Sequence, residues 1–544
     1  MKESTVIKSK LPTQILDFFK RHKPDAKLDE VLPVIETLHA RLLEGHSSLH
    51  LEQSTKEIQT LREYELLGGP EESRPIVWTA SGDLYFKRYF EYELSIAQKL
   101  QEWATTSYNH QISDFSLLEN LLSNAPDQFR AAKLAIENKF SVVTGGPGTG
   151  KTYLLVSILH ALLEKNPSLK ISLAAPTGKA AQRMSESIVF NLQNLNLREE
   201  DKKRFPQEAS TIHRLLQPLP SSIHFRKNQK NPLEADFLIV DEASMIDLPL
   251  MAKLLDSIPN HCSLILIGDV DQLAPVEAGA PFASIVRHFL LPDQPQLVAK
   301  LSTNRRFGVE SSIHRLCNAI SSGDSDAVEI LIKEEEHQDF EFSDQWDLNK
   351  IDQIMLNGYS DLASAKTPED AHQAFLRFQI LCPTHQGDRG VIAMNERCRK
   401  IFANQESGYF AGLPVIIKQN DYGSGLFNGD IGIFLSSQED ENELSVWFAD
   451  GNGSYRQFSP ARLPPFDLAY AMTIHRSQGS EYEEVMIALP VVKSEILSRH
   501  LFYVACSRAK KRVGIHGSEQ IFLETVSKST EYSQSLENRL IDLS

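Results

Sequence analysis

Four short apolar runs in the first half of the chain each end in a polar or glycine-rich loop. They are Phe140–Val143, the segment before Thr177, Phe237–Val240, and the segment that ends at Gly268. Continuous apolar runs bounded by loops are typical of strands that are buried on both faces, as in a parallel sheet. Because helix-forming segments alternate with these runs, the pattern predicts an α/β fold in which helices cover both faces of a parallel sheet.

The hydrophobic pattern is different in the residues before this α/β region and in one insertion within it. Residues 1–122 carry apolar positions at helical spacing, as in LDEVLPVIETLHARLL, and we expect a helical N-terminal domain. Residues 123–300 form the first predicted α/β lobe. Inside this lobe, a turn-rich basic insertion at about 217–235 is either a small hairpin or a surface loop.

The chain after residue 300 predicts a second α/β lobe in two parts, 301–383 and 465–544. Between these parts, residues 384–464 contain short apolar runs such as LPVIIKQND and LSVWFAD, which are separated by glycines and polar turns. This alternation is typical of short strands and predicts a small β-barrel inserted in the second lobe.

Composition agrees with a multidomain globular protein. The chain has 544 residues, which is too long for one core. Its residues are 41% hydrophobic and 24% charged, as in ordinary globular proteins. No apolar run approaches the roughly 18 residues of a membrane span, and the five cysteines are scattered, so we expect a cytoplasmic protein without disulfides. The net charge of −16 leaves a nucleic-acid partner open, because a binding groove depends on local charge.

The strongest chemical signal is the segment GGPGTGKT, which follows the apolar run at Phe140–Val143 and precedes an amphipathic segment. This strand–loop–helix context is that of a P-loop, whose backbone N–H groups surround a phosphate chain. We expect Lys151 to hold the β- and γ-phosphates of a nucleotide and the Thr152 hydroxyl to bind Mg²⁺. The predicted phosphate-binding residues are Gly145, Gly146, Pro147, Gly148, Thr149, Gly150, Lys151 and Thr152.

Polar residues at the ends of two further apolar runs complete this site. Asp241 and Glu242 follow Phe237–Val240, and we expect Asp241 to hold Mg²⁺ and Glu242 to polarise the attacking water. Gln272 lies in the loop after Gly268, where its amide can contact the γ-phosphate. Together with the P-loop, these residues predict a nucleoside triphosphatase.

Two arginine positions could supply positive charge to the breaking phosphoryl bond. One is the pair Arg305–Arg306 in KLSTNRRF, and the other is Arg508 in YVACSRAKKR. Either could act as an arginine finger from a surface that approaches the γ-phosphate.

The tetrapeptide T-I-H-R occurs twice, at Thr211–Arg214 and at Thr473–Arg476. Chance is one explanation. The other is that the two lobes are similar and present the same hydroxyl and imidazole to one strand of nucleic acid, where they contact phosphates without reading bases.

The segments GGPGTGKT, APTGKAAQRM, VDEASMIDLPLM, GDVDQLAPVEAGA, TIHRSQGSEY and YVACSRAKKR together resemble superfamily 1 DNA helicases, and specifically the RecD family of exodeoxyribonuclease V subunits. The resemblance implies two RecA-like lobes, an SH3-like fold for the insert, ATP and Mg²⁺ as cofactors, and 5′→3′ movement on DNA. It implies that Gln128 recognises adenine, that Glu481 lies near the ribose, and that Gln272, Arg306 and Arg508 contact the γ-phosphate. The positions it places near single-stranded DNA are Thr177, Thr211, His213, Thr473, His475 and Ser477.

The resemblance also implies RecB-like and RecC-like partner subunits in a heterotrimer that processes double-strand DNA ends, with the nuclease site on a partner chain. It implies further that the N-terminal domain, residues 1–122, docks on a partner subunit. Two alternatives remain: a self-sufficient 5′→3′ helicase, and a regulatory ATPase subunit that does not translocate.

Overall fold

The computed structural model describes most of the chain, in the ranges 30–51, 56–106, 114–194, 198–220, 222–275, 277–306, 311–334, 337–403, 408–421, 423–436, 443–450, 453–528 and 535–543. Within these ranges, no helix is both long and apolar enough to cross a membrane. The five cysteines are buried free thiols.

The N-terminal domain is mixed rather than helical, which corrects the sequence prediction. Its elements are α1 (Leu32–Leu43), β1 (Leu49–His50), α2 (Lys56–Glu63), β2 (Leu67–Gly68), β3 (Ile76–Trp78), β4 (Asp83–Phe86) and α3 (Lys87–Thr105). The strands form a four-stranded sheet in the order β1-β4-β3-β2. Strands of two to four residues are too short to show an alternating pattern, so only the helical periodicity was visible in the sequence.

The first lobe is built on a six-stranded parallel sheet in the order β10-β5-β9-β8-β6-β7. Its elements are α4 (Ser116–Leu121), α5 (Pro126–Glu137), β5 (Phe140–Gly145), α6 (Lys151–Lys165), β6 (Ile171–Ala175), α7 (Gly178–Asn194), α8 (Glu199–Lys202), β7 (Ser210–Thr211), α9 (Ile212–Leu216), β8 (Phe237–Val240), α10 (Leu248–Asp256), β9 (Ser263–Gly268), α11 (Pro281–Phe289) and β10 (Val298–Leu301), with a 3₁₀ turn at Ala243–Met245. Every residue of β5, β8 and β9 is buried, which explains their continuous apolar runs. The predicted α/β class is confirmed.

The insertion at 217–235 folds as two turns on the surface of this lobe. Single antiparallel bridges close the turns, one between Pro218 and Phe225 and one between Asn228 and Asn231. Lys253 of α10 donates a hydrogen bond to the carbonyl of Ile223. Backbone hydrogen bonds from Arg226 to Gln217 (2.9 Å) and from Leu219 to His224 (3.1 Å) flank the first bridge. The described part of the insertion thus contains one very short antiparallel pairing, and the choice between a hairpin and a surface loop stays open.

The second lobe contains a five-stranded parallel sheet in the order β11-β20-β19-β12-β18, and a separate five-stranded antiparallel sheet in the order β16-β15-β14-β13-β17. Before the antiparallel sheet come α12 (Ser312–Ser322), α13 (Ser325–Lys333), β11 (Phe340–Ser343), α14 (Leu348–Ser364), α15 (Pro368–Arg377), β12 (Phe378–Cys382) and α16 (Val391–Phe402). The antiparallel strands are β13 (Pro414–Ile417), β14 (Ile431–Ser436), β15 (Leu444–Ala449), β16 (Tyr455–Phe458) and β17 (Phe466–Leu468), with a 3₁₀ turn at Pro460–Arg462. The chain then returns through β18 (Ala471–Thr473), a 3₁₀ turn at His475–Ser477, β19 (Tyr482–Ala488), α17 (Arg499–Ser507), β20 (Ala509–His516) and α18 (Glu519–Ser527).

The boundaries of the insert differ from the predicted 384–464. Helix α16 packs on α14 and on β18, so residues 391–402 belong to the parallel-sheet lobe. Strand β17 pairs with β13 and therefore extends the insert to residue 468. Sequence turns alone do not show which sheet a short strand joins. The SH3-like fold of this insert stays a prediction.

The last helix, α19 (Ser535–Leu543), packs against the N-terminal domain and the first lobe, whereas the sequence pattern places residues 465–544 in the second lobe. It contacts α3 and α11. Glu93 of α3 lies at the centre of this packing and is only 1% exposed. Its carboxylate accepts hydrogen bonds from Ser47 and Ser535 (both 2.6 Å) and from Arg539 (3.4 Å). The guanidinium of Arg539 also lies 4.0 Å from the centre of the Phe90 ring. Helix α19 is thus bound to the N-terminal domain.

We predict that Arg539→Met destabilises this packing by about 3 kcal/mol, because the buried carboxylate of Glu93 then loses its cation. Burial already raises the pKa of Glu93, while Arg539 opposes that rise. Without Arg539 the pKa rises further, so the destabilisation is largest near neutral pH and shrinks as falling pH protonates Glu93. The measurements are the melting temperature at pH 5 and pH 7.5 and hydrogen exchange in α19.

Arg198→Met is the matched control, because Arg198 pairs with Asp201 on the surface. Equal melting temperatures for Arg539→Met and the unaltered chain at pH 7.5 would contradict the assigned role.

Candidate nucleotide site

A cavity of about 640 Å³ lies between the two parallel-sheet lobes. The first lobe contributes the loop after β5, part of α7, and the ends of β8 and β9. The second lobe contributes Glu481, Arg508 and Lys510. A cleft of this size at the carboxyl ends of parallel strands is the usual position of a ligand site in an α/β protein.

The loop Gly145–Gly150 leads directly into α6, whose first residue is Lys151. Gly148 (φ +78°) and Gly150 (φ +80°) have left-handed backbone conformations that favour glycine. The ammonium of Lys151 donates to the carbonyls of Gly145 (2.5 Å) and Gly146 (3.0 Å), so it lies over the loop. The helix N-terminus and this ammonium together form an anion-binding site.

Three neighbours hold this loop in place. Gln128 of α5 is completely buried, and its amide donates to the carbonyls of Thr149 (2.8 Å) and Gly150 (3.3 Å). On the other side, Asn304 donates to the carbonyl of Pro147 (3.1 Å), and the backbone N–H of Arg305 donates to Gly148 (2.7 Å). In this arrangement Gln128 supports the loop, and its predicted contact with adenine stays a prediction.

The two acidic residues after β8 lie together in the cavity. Burial and the neighbouring Glu242 raise the pKa of Asp241 to about 6, while Lys151 opposes the rise. Glu242 has an unusual left-handed backbone (φ +52°), and one of its carboxylate oxygens is buried without a hydrogen-bond partner among the described residues. A non-glycine residue in this conformation is frequent at functional sites.

Thr152 and Asp241 fit the Mg²⁺ ion that the sequence predicts. Both line the same cavity as Lys151 and Glu242. Their oxygens are the donors that Mg²⁺ prefers, and a divalent cation would relieve the repulsion between two buried carboxylates.

The loop after β9 joins the lobes by a contact that the sequence did not predict. Asp269 accepts a hydrogen bond from the hydroxyl of Tyr503 on α17 (3.0 Å), and burial raises the pKa of Asp269 to about 6. Gln272 is 6% exposed and lines the cavity, and its amide oxygen has no hydrogen-bond partner in the described part of the chain. It is therefore placed to contact a ligand.

Both predicted arginines line the cavity with Lys151. Arg306 forms an ion pair with Glu481 at 2.5 Å. Burial alone would raise the pKa of Glu481, but the guanidinium of Arg306, with Arg183 and Arg508, lowers it to about 2. Arg508 is 3% exposed and donates to the carbonyls of Ser480 (3.2 Å) and Val504 (3.1 Å).

The repeated T-I-H-R tetrapeptides occupy equivalent positions in the two lobes. Thr211 ends β7 at one edge of the first sheet, and Thr473 ends β18 at one edge of the second. Each threonine hydroxyl accepts a hydrogen bond from the N–H of the arginine three residues later, at 3.1 Å in the first lobe and 3.3 Å in the second. This geometry supports pseudo-equivalence and argues against coincidence.

The other predicted DNA contacts divide into two groups. Thr177 caps the start of α7 by accepting from the N–H of Ala180, His213 is exposed, and His475 is partly exposed. Burial lowers the pKa of His475, which favours the neutral imidazole. Ser477, however, is completely buried and donates to the carbonyl of Ile474, so its hydroxyl supports the turn, and its predicted contact with DNA stays a prediction.

Comparisons with known proteins agree with this geometry. Residues 128–278 match the AAA domain family, and residues 468–516 match the UvrD-like helicase C-terminal domain. The chain is 34% identical over 492 residues to the RecBCD enzyme subunit RecD of Mycolicibacterium smegmatis, covering 87% of this chain and 85% of that protein. It is 33% identical over 531 residues to the RecBCD enzyme subunit RecD of Mycobacterium tuberculosis, covering 93% and 88%.

This chain belongs to the RecD family of superfamily 1 helicases. Among solved structures, it is similar to Bacteroides Pif1 bound to single-stranded DNA, with 18% sequence identity and a TM-score of 0.38 over 73% of this chain and 93% of that one.

In this RecD-family chain, sequence reasoning missed Asn304, Arg183 and Tyr503. Asn304 is adjacent to the predicted arginine pair, but its contact with Pro147 spans 157 residues. Arg183 is one of several polar residues on α7, and helical periodicity does not show which face of α7 meets the second lobe. Tyr503 reads as an ordinary core residue within an apolar segment.

Proposed function

We propose that this RecD-family chain is an ATP-driven DNA motor in which nucleotide binding and hydrolysis change the cleft between its two lobes. The observation that carries this proposal is the shared cavity: Lys151, Asp241 and Glu242 from the first lobe face Arg508 from the second. A phosphate bound there would be contacted from both lobes, so its release would weaken their attraction.

Each of these cavity residues would have its own role in ATP hydrolysis. Glu242 would orient and deprotonate the attacking water, since its free carboxylate oxygen faces no other described partner. Thr152 and Asp241 would hold Mg²⁺, which when bound neutralises phosphate charge. Lys151, Arg306 and Arg508 would stabilise the charge that develops during phosphoryl transfer. Gln272 would contact the γ-phosphate.

Glu481 would take part in this exchange through Arg306. The Arg306–Glu481 ion pair closes one side of the cavity. We propose that Arg306 turns from this carboxylate toward the γ-phosphate when ATP binds, while Glu481 contacts the ribose. Competition for one guanidinium would then couple the nucleotide state to a contact between the lobes.

Single-stranded DNA would cross the equivalent edges of the two sheets. Thr177, Thr211 and His213 lie on the first lobe, and Thr473 and His475 lie on the second, each near the carboxyl end of an edge or adjacent strand. Hydroxyl and imidazole groups suit phosphate contacts that do not read sequence. We propose that the insert closes over this strand as an SH3-like clamp and that movement is 5′→3′.

The assembly belongs to the same proposal. RecB-like and RecC-like subunits would join this chain in a cytoplasmic heterotrimer that processes double-strand DNA ends, and a partner would hold the nuclease site. The alignments with RecD subunits cover most of this chain and most of each relative, which favours a subunit over a self-sufficient helicase. On mild affinity purification from its native cells, we expect two larger helicase or nuclease chains to accompany it. Recovery of this chain alone would favour the self-sufficient helicase.

We predict that Lys151→Gln lowers DNA-stimulated ATP turnover by at least about 100-fold, because it removes a charged phosphate contact in a water-poor site. Lys151 is not part of a hydrophobic core, so circular dichroism and the melting temperature stay unchanged. The control is Lys133→Gln, which removes an exposed partner of Glu137. Normal turnover in Lys151→Gln would overturn the site assignment.

The purified protein can also be tested for movement along DNA, measured as displacement of a strand from a duplex. The unaltered chain, with its partners, is expected to displace a strand from a duplex with a 5′ single-stranded tail and not from one with a 3′ tail. ATP turnover without displacement from either substrate would favour the regulatory ATPase.

We also predict that His213→Ala and His475→Ala each weaken binding of single-stranded DNA about three- to tenfold, since each removes one hydrogen-bonding contact to a phosphate. Fluorescence anisotropy with a labelled oligonucleotide measures the change. His261→Ala is the control, because His261 is exposed just before β9 begins, at the opposite end of the first sheet. An equal effect of all three variants would exclude the proposed path.

A further inference from the structure

Helix α7 contributes a cation to the nucleotide cavity that no sequence motif assigns. Arg183 lines the cavity with Lys151, Thr152, Glu242 and Arg508. It lies on the same lobe as the P-loop, one turn after Lys179.

Arg183 differs from the other arginines of the cavity in its contacts. Arg306 is paired with Glu481, and Arg508 donates to backbone carbonyls. Among the described residues, Arg183 makes neither a hydrogen bond nor an ion pair within 4.0 Å. Burial in the crevice lowers the pKa of Arg183, while the carboxylates of Glu481 and Glu242 oppose this. Arg183 is partly buried, and a guanidinium that no described group pairs is available to bind an anion.

The charges around the cavity indicate what that anion is. Six cations line it: Lys151, Arg183, Arg305, Arg306, Arg508 and Lys510. Four carboxylates accompany them: Glu186, Asp241, Glu242 and Glu481. Because the cations outnumber the carboxylates, the cavity favours a polyanion such as a triphosphate.

The neighbours of Arg183 indicate which phosphate it meets. Glu242, the proposed base, and Arg508, from the opposing lobe, are both among the charged groups that act on it. Both are proposed to act at the terminal phosphate. Lys179, one turn earlier on the same face of α7, is a second cation beside Arg183, but it does not line the cavity. Of these two neighbouring cations, Arg183 is therefore the one that is placed to meet a phosphate in the cavity.

We propose that Arg183 binds the γ-phosphate of the nucleoside triphosphate as a third arginine, supplied by the P-loop lobe itself. This inference rests on the proposed function of the cavity. Because Arg183 and Lys151 share one lobe, the contact forms before the lobes close. Arg183 thus distinguishes a triphosphate from a diphosphate in the open cleft, and Arg508 completes the site on closure.

The test compares binding of fluorescent ADP and of a fluorescent, non-hydrolysable ATP analogue, without DNA. Arg183→Ala is expected to weaken binding of the ATP analogue about tenfold or more, the effect of one charge-assisted hydrogen bond, and to change ADP binding less than about twofold. Arg183→Lys should restore part of the loss, because it keeps the charge but not the guanidinium fork. Arg204→Ala is the control, since Arg204 pairs with Asp201 on the surface of the same lobe.

The outcomes separate this inference from the proposed function. If the unaltered chain binds the ATP analogue and Arg183→Ala binds it equally well, the inference is wrong and the nucleotide site stands. Equal weakening of ADP and of the ATP analogue also overturns it, because that result indicates a structural role. Weakened single-stranded DNA binding with unchanged nucleotide binding would assign Arg183 to the DNA. If the unaltered chain binds no nucleotide, the proposed function itself fails.

Discussion

The position of the phosphate loop is the constraint on which the remainder of this structure depends. Its glycines bend the backbone into a loop that suits an anion, and the loop is held on one side by Gln128 and on the other by Asn304 and Arg305. Those side contacts come from the segment that connects the two lobes. Any change in the loop on phosphate binding therefore acts directly on the connection between the lobes, without a longer path through either core.

Contacts between the lobes surround the nucleotide cavity on several sides. Tyr503 of the second lobe donates a hydrogen bond to Asp269 of the first lobe. Glu481 of the second lobe forms an ion pair with Arg306 of the segment that connects the lobes, and Arg508 of the second lobe lines the cavity. A phosphate in the cavity would alter the charge or the hydrogen bonding of the groups in these contacts. The cleft is thus well suited to convert a chemical event at one phosphate into a relative motion of two sheets.

The N-terminal domain and the C-terminal helix form one unit with the first lobe. The buried carboxylate of Glu93 is satisfied by Ser47 from the start of the chain and by Ser535 and Arg539 from its end. Within the described residues, α19 therefore returns the chain from the second lobe to the N-terminal domain and the first lobe.

The sequence by itself determined the features that depend on neighbouring residues. Continuous apolar runs predicted β5, β6, β8 and β9 of the first parallel sheet, and GGPGTGKT predicted the phosphate loop. The RecD resemblance is confirmed by relatives that cover most of the chain. Only the tertiary structure decided where distant segments meet: Ser477 is buried, α19 joins the first lobe, and Arg183 faces the cavity. The physical reason is that a local pattern specifies which face of an element is apolar, whereas burial and charge pairing at a cleft depend on how two separately specified lobes are oriented.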